Sequence, residues 1–391
     1  MSPLNRASAL RIGFLTDQDV GTPVAASGMV QSSYQAIVRN STNVRLLFAG
    51  GPPAAPKGRL HRRFDRLKTR LNPKAAYDTE IEQARQTASR ARALVQPGSF
   101  DVIISPFSGR CLFEANFPCP VIYASDATAK LMADSVYFEY FSEGFRRACV
   151  DLEADFSARV YAAAFSSHAT LKSAITDFRY PQVRSVVVPI GANLTPPDDW
   201  KESPSAPSAS DVSLLLIAAD VARKRLDLCV ATMEILRRKG INAKLHLVGG
   251  DPGRFRKSVG FFYHGFIDRT RADEKRRLTD LLTNSHVLLL PSVAEMFGIA
   301  PAEAAHFARP SLVSDVGGLP TVVQDGTTGF VLQASAGPDA YAEKVLWWIA
   351  NPEEYERMRR AAQRRAHQEL NWDAWAARVL GLIDPDAPNA G

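Results

Sequence analysis

Short apolar runs that end in polar, glycine-bearing or proline-bearing loops recur along the chain, and longer stretches with helical spacing separate them. Arg11–Thr16, Val44–Ala49, Val102–Ser105, Pro120–Ala124, Ala162–Ser166 and Ser185–Pro189 read as strands, with helices predicted from about Val30 to Arg39 and from Tyr77 to Val95. A Ser- and Pro-rich segment, Lys201–Ser210 (KESPSAPSAS), then interrupts the pattern and reads as a linker between two domains. Beyond it the logic repeats. Leu214–Ala219 is a buried strand, a helix runs to Lys239, and Lys244–Val248 is a strand ending at Gly249-Gly250. The expected division is residues 1–200, a linker 201–210, 211–371, and a last helix over 372–391. The region after Leu332 reads as helical to about Leu370, with MRRAAQRRAHQ as a basic, exposed face.

The most informative stretch is Leu288–Leu332, entered through a strand that begins at Val287. The strand Val287–Leu290 is stopped by Pro291, and a polar loop carrying Glu295 and Gly298 follows. Pro301 suits a first helical turn, the alanines around Glu303 favour the helix, and Pro310 prevents its continuation past Arg309. A second strand, Ser311–Val316, leads to Gly317-Gly318, and Asp325-Gly326 marks a turn before Gly329–Leu332. The pattern predicts Glu295 above the carboxyl end of a strand and Glu303 in the first turn of a helix, both able to face one crevice. The helix start suits a phosphate, because its first N–H groups lack intrahelical partners and carry the positive end of the dipole. Two ionised carboxylates beside such a site suit sugar hydroxyls, since a carboxylate only accepts hydrogen bonds.

The length of 391 residues allows two domains, and 46% hydrophobic with 23% charged residues is the composition of a soluble globular chain. No run approaches the length of a membrane span, so a cytoplasmic location is expected. Cys111, Cys119, Cys149 and Cys229 lack metal-ligand spacing and receive no role. The net charge of +6 concentrates in Lys57–Lys74 (KGRLHRRFDRLKTRLNPK), where Leu60, Phe64, Leu67 and Leu71 fall on one face of a basic helix. Two readings stand side by side: peripheral docking on the anionic inner face of a membrane, or packing of the apolar stripe on its own domain. No nucleic-acid motif accompanies the charge, so nucleic acid is not expected as a partner.

Glu295 to Glu303 resembles the E-x7-E motif of retaining glycosyltransferases of family 4, and E-x-F-G, P-x-L-V-S-D-V-G-G and D-G-T-T-G-F, in this order, resemble that family too. The resemblance implies an α/β chain of the GT-B fold, two Rossmann-like domains facing across a cleft, with the last helix crossing back onto the first domain. It implies transfer of a hexosyl group from a UDP- or GDP-sugar to a saccharide, lipid-linked or other hydroxyl acceptor, with retention at the anomeric carbon, in glycan, glycolipid or polysaccharide synthesis. In the family's arrangement Glu295 would hold the donor sugar's hydroxyls, Glu303 the ribose, and the amides of Phe297, Gly298 and Ile299 the sugar or phosphate. Lys224 would meet the diphosphate. Asp220–Arg225 has Arg225 where the family has glycine, and Arg223 is a candidate partner of Lys224. Phe266 and Ile267, in FYHGFI, match the segment that lies against the nucleotide base.

On the first domain, Ser27-Gly28-Met29 matches the glycine loop over the donor phosphates, although GxGxxG is missing; a turn glycine without a ligand is the alternative for Gly28. Asp126 stands where many relatives carry histidine, and it either orients the acceptor or, with Thr128, caps a helix. His168 reads as structural, and Trp372 and Trp375 as packing residues. With Lys224 supplying positive charge and no Asp-x-Asp in a suitable loop, metal independence is expected, and no cofactor beyond the donor. A sugar-nucleotide epimerase of the same fold and a non-catalytic membrane-associated scaffold are the rival readings. The epimerase would epimerise a sugar nucleotide without any acceptor, whereas the transferase releases free nucleoside diphosphate when supplied with one.

Overall fold

The structure, a computed structural model, describes residues 10–21, 28–51, 72–201 and 206–383. The chain forms two compact units, Met1–Pro189 with Trp372–Gly391, and Ile190–Asn371. The basic stretch Lys57–Lys74 lies outside the described residues except for Asn72, Pro73 and Lys74, which open a helix. Among the described residues no helix is long and apolar enough to cross a membrane.

In the first unit, β1 (Ile12–Thr16), β2 (Val44–Phe48), β3 (Val102–Pro106), β4 (Val121–Ser125), β5 (Ala162–Phe165) and β6 (Ser185–Val187) form a parallel sheet in the order β2-β1-β3-β4-β5-β6. Strands β1, β3, β4 and β5 are buried at every position, which explains their uninterrupted apolar runs: helices cover both faces of a parallel sheet. Those helices are α1 (Met29–Asn40), α2 (Pro73–Leu94), α3 (Ala129–Ala133), α4 (Glu143–Ser157) and α5 (His168–Asp177). Polar residues start several of them. Asn72 accepts from Ala75 N–H at 3.0 Å, Ser142 from Phe145 N–H at 3.2 Å and Ser167 from Thr170 N–H at 3.1 Å, each satisfying an amide that the helix leaves unpaired. The final helix, Trp372–Leu380, packs on α1: Trp372 and Trp375 are buried edge to face at 5.6 Å, and Arg39 pairs with Asp373 at 2.8 Å.

One buried acid underlies this unit. Glu153 of α4 accepts from the Ala129 amide at the start of α3 and from the Tyr180 hydroxyl at 2.8 Å. Burial pushes its carboxyl up to about 7, and those two hydrogen bonds oppose the shift. Below about pH 4.5 the group is protonated in both the folded and unfolded chain. Between that pH and 7 the folded state holds the proton more tightly, so rising pH costs stability, by up to about 3 kcal/mol. Glu153→Gln keeps an acceptor for Ala129 and a donor for Tyr180 without the ionisation. Thermal melts should show the variant gaining on the native protein as pH rises from 5 to 8; a pH-independent difference would assign the native slope to other groups.

In the second unit, β7 (Val212–Ala218), β8 (Ala243–Gly249), β9 (Phe261–Tyr263), β10 (Val287–Leu290), β11 (Ser311–Ser314) and β12 (Gly329–Leu332) form a parallel sheet in the order β12-β11-β10-β7-β8-β9. Its helices are α6 (Leu226–Arg238), α7 (Ala272–Asn284), α8 (Ile299–His306), α9 (Leu319–Val322), α10 (Pro338–Ala350) and α11 (Pro352–Gln368). Alternate residues of β7 divide between two cores. Leu214 and Leu216 pack with Met233, Val345 and Trp348, while Leu215 packs with Leu278, Leu282 and Phe307.

The region after Leu332 is helical as expected, in two helices, because Asn351-Pro352 breaks the run and Pro352 then opens α11. One sequence expectation needs correction here. The basic face of α11 is only partly exposed: Arg359 and Arg365 are buried, and Arg365 donates to Thr321 O at 2.6 Å and Val322 O at 2.8 Å. Its charge serves the carbonyls at the end of α9, which lack intrahelical partners.

The division between units falls at Pro189/Ile190, ahead of the Ser/Pro-rich segment. Residues before that segment are tied to the second unit. Ala192 N–H donates to Leu370 O at 3.0 Å, Leu194 is buried, and the Trp200 indole donates to Thr283 at 2.8 Å while meeting Phe307 edge to face.

Candidate functional site

The strand order of the second unit reverses between β7 and β10: from β7 the chain winds outward to β8 and β9, and from β10 it winds the other way to β11 and β12. Loops leaving the carboxyl ends of two such neighbours diverge and leave a crevice, the usual ligand position in an open parallel sheet. Arg223 and Lys224 follow β7, and Glu295 follows β10. Arg223 Nη1 donates to Glu295 Oε2 at 3.0 Å and to Ala294 O at 2.6 Å. Lys224 Nζ lies 3.7 Å from the same carboxylate oxygen and donates to Ile217 O at 3.2 Å. Ser292 Oγ reaches Glu295 Oε2 at 3.3 Å.

Local backbone chemistry sets this geometry. Asp220 accepts the Arg223 amide through its side chain at 3.0 Å and the Lys224 amide through its carbonyl at 3.2 Å, which closes the turn. Arg225 takes φ 51° and ψ 58°, the left-handed conformation that a glycine adopts without strain, so the substitution keeps the turn and changes only its residue. The Val293 amide donates to Arg223 O at 2.9 Å and links the two loops. The Lys224 and Glu295 side chains are only 13% and 12% exposed. Burial lowers the Lys224 pKa, and Glu295 counters it, while Arg223 adds to the lowering. Two half-hidden cations therefore converge on one carboxylate. The second carboxylate near Arg223, that of Asp220 at 3.9 Å, is exposed and screened by water.

The other residues of this unit sort differently. Gly298 has φ 110° at the start of α8, and a β-carbon there would fall 2.7 Å from Leu319 Cδ2. Phe297 is buried, so any ligand contact it makes is through its backbone, and Ile299 is the first residue of α8. Phe266 is 75% exposed, whereas Ile267 packs in the core beside Val248 and Leu278. Glu303 departs from the crevice-facing placement expected of it. Its side chain has 0% exposure and is held bidentately by Arg269, Nη1 to Oε1 at 2.5 Å and Nη2 to Oε2 at 3.0 Å. Neither glutamate is a spare carboxylate.

In the first unit the order reverses between β1 and β3. Gly28, φ 83°, stands at the start of α1 in the loop that leaves β1, and Ser27 lies outside the described residues. Asp126 follows β4, where its carbonyl accepts from Thr170 Oγ1 at 2.9 Å. Thr128 caps α3, accepting from Leu131 N–H at 3.2 Å, so the cap falls to Thr128. His168 is the first residue of α5. The candidate residues thus form two sets: Gly28 and Asp126 in one unit, the remainder in the other. Sequence reasoning missed Asp220, Ser292 and Arg269. The Asp220 position, three residues ahead of Arg223 in a turn, was a usable signal; nothing marks Arg269 among the arginines around it.

A doubly wound parallel sheet occurring twice in one chain, with basic and acidic loops meeting at the switch point of the second, defines the GT-B class of α/β protein. Residues 198–365 match the family described as glycosyl transferases group 1, and the motifs between Glu295 and Phe330 resemble those of family 4 glycosyltransferases. Over 108 residues the sequence is 39% identical to D-inositol 3-phosphate glycosyltransferase of Streptomyces griseus, covering 28% of this chain and 22% of that protein. The aligned part thus spans under a quarter of that relative. Among solved structures, sucrose-phosphate synthase from Thermosynechococcus elongatus superposes with a TM-score of 0.63 at 17% identity, over 94% of this chain and 97% of that one. The Anabaena protein HepE in complex with UDP-glucose gives 0.60 at 17% identity, over 95% and 98%. At these identities the likeness is one of fold.

Proposed function

We propose that the protein is a retaining glycosyltransferase that moves a hexosyl group from a nucleoside diphosphate sugar to an acceptor hydroxyl. The observation that carries this reading is the meeting of Arg223, Lys224 and Glu295 at the switch point of the second sheet. Breaking a sugar–phosphate bond leaves negative charge on the diphosphate, and fixed cations in a half-buried site stabilise that charge with little reorganisation. Lys224 and Arg223 supply it, and Glu295 accepts hydrogen bonds from the sugar's hydroxyls while holding the cations in place. The departing diphosphate takes the acceptor's proton on the face of attack, so no carboxylate acts as nucleophile, and the cations make a metal unnecessary. The relative that binds UDP-glucose supports a UDP-sugar as first choice of donor, with GDP-sugars next.

In this reading Gly28 belongs to the glycine loop over the donor phosphates and Asp126 orients the acceptor, and the activity belongs to glycan, glycolipid or polysaccharide synthesis in the cytoplasm. Docking on an anionic membrane through residues 57–74 is a separate proposal. Changing the arginines of that stretch to glutamine should release the protein from anionic liposomes in flotation; unchanged binding sinks the idea. For the activity itself, a panel of UDP- and GDP-sugars should give one donor that raises the melting temperature and is slowly hydrolysed to nucleoside diphosphate. Epimerised sugar nucleotide in place of free diphosphate would overturn the transferase reading.

A further inference from the structure

We infer that Asp17, at the switch point of the first sheet, binds the acceptor, and that the group it takes is an uncharged hydroxyl of a saccharide or polyol. The inference rests on the transferase reading and locates its second substrate. Asp17 is the first residue after β1, where the strand order reverses between β1 and β3. Its Oδ1 atom is shielded from solvent, and among the described residues no hydrogen-bond partner meets it. A carboxylate oxygen taken out of water without a donor destabilises the free protein, so its presence calls for a use.

The loops around it form a frame. Thr16 Oγ1 and Ser108 Oγ lie 3.1 Å apart, and the Gln18 side-chain amide donates to Phe107 O at 2.9 Å. The loops leaving β1 and β3 are thus joined through the residues on either side of Asp17. Phe107 holds φ 57°, a left-handed conformation that an aromatic residue adopts only at a cost. Ser105, fully buried on the neighbouring β3, carries a second oxygen without a partner among the described residues. These costs fall at the carboxyl ends of β1 and β3, where an open parallel sheet binds its ligands.

The chemistry follows from what the chain leaves unpaired. Arg110 interacts electrostatically with Asp17, but its guanidinium is held by Glu80, Nε to Oε1 at 2.7 Å and Nη2 to Oε2 at 2.8 Å. The structural ion pair already has both members, and Asp17 is left over. An ionised carboxylate only accepts hydrogen bonds, so the group that completes it must donate one. A hydroxyl does so with charge assistance, whereas a phosphate or carboxylate in that place is repelled. The crevice therefore selects acceptors that point a hydroxyl into it, and any anionic group of the acceptor lies elsewhere.

The test compares the native full chain with Asp17→Asn and Asp17→Ala in three measurements. These are the melting temperature without ligand, the release of nucleoside diphosphate from UDP-glucose, UDP-galactose and GDP-mannose in water, and transfer from the donor so found to D-glucose, D-galactose, D-mannose and myo-inositol. Both variants should melt at or above the native temperature, because an unpaired carboxylate is removed. Donor hydrolysis should stay within about twofold of native, since water needs no anchor at Asp17. Transfer should fall about tenfold or more in kcat/KM for the acceptor in Asp17→Ala, the worth of a hydrogen bond to a charged group, and less in Asp17→Asn, which still accepts one. A melting temperature clearly below native, transfer that stays native in Asp17→Ala, or a loss shared equally by hydrolysis and transfer each overturns the inference: the first assigns Asp17 to the fold, the last to the donor. Native protein that hydrolyses a donor but glycosylates none of the four polyols also overturns it. Native protein that cleaves no nucleotide sugar would instead remove the transferase reading itself.

Discussion

Lys224→Met should lower the proposed glycosyl transfer about a hundredfold, with most of the loss in kcat. The ammonium is held beneath the switch point by Ile217 O and Glu295, so its charge is fixed before any diphosphate forms. An interaction that strengthens as the leaving group gains charge acts on turnover more than on donor affinity. Removing it also leaves Glu295 with Arg223 at 3.0 Å and Ser292 at 3.3 Å, so the loop keeps its other ties and the fold should survive. The pH profile gives a second readout. Burial lowers the Lys224 pKa, so the charge is lost at a lower pH than that of an exposed lysine, and activity should fall on the alkaline side as it goes. Lys224→Arg, which stays protonated, should move that fall to higher pH, even if its absolute rate is lower. An unchanged alkaline limb in Lys224→Arg would assign the titration to another group.

Gly317→Ala should cost as much activity as losing Glu295, through the backbone. Gly317 has φ 51°, and a β-carbon there would lie 1.8 Å from Glu295 O, a distance that no side-chain adjustment relieves. That carbonyl also accepts from Gly318 N–H at 3.1 Å, so the glycine pair and the Glu295 loop are in backbone contact. The loop must move, and with it the carboxylate that Arg223 and Lys224 hold. We expect a stability loss of about 3 kcal/mol or more and turnover down about a hundredfold. Gly326→Ala is the matched control. Its φ of 67° is also left-handed, but a β-carbon there meets nothing within 4 Å, so only the conformational penalty of about 1 kcal/mol applies and activity should stay native. Equal effects at the two positions would show that left-handed strain, and not the contact with Glu295, governs the loss.

These residues also show how far the sequence could be read. Val287–Leu332 was legible because each element carries its own punctuation: Pro291 ends a strand, Gly298 and Pro301 start a helix, and Gly317-Gly318 ends the next strand. Local chemistry sufficed to put Glu295 in a loop and Glu303 on a helix. The pairings did not follow, because ion pairs such as Arg269–Glu303 join residues far apart in sequence and any nearby arginine would have matched as well. Burial of Arg359 and Arg365 was hidden for the same reason: a basic helix face looks solvated until the carbonyls it serves are known. Arg225 illustrates the opposite limit. It stands where the family has glycine, yet the backbone takes the left-handed turn. The segment KESPSAPSAS looked like the boundary by composition, whereas the packing of Leu194 and Trp200 decides where the second unit begins.

The most direct measurement of where the donor sits is amide hydrogen exchange of the full chain with and without saturating UDP or GDP. Protection should rise in residues 218–225, 264–269 and 291–303, the loops that carry Lys224, Arg269 and Glu295. Ligand binding that leaves those three segments unchanged while protecting others would contradict a donor site at the switch point of the second sheet.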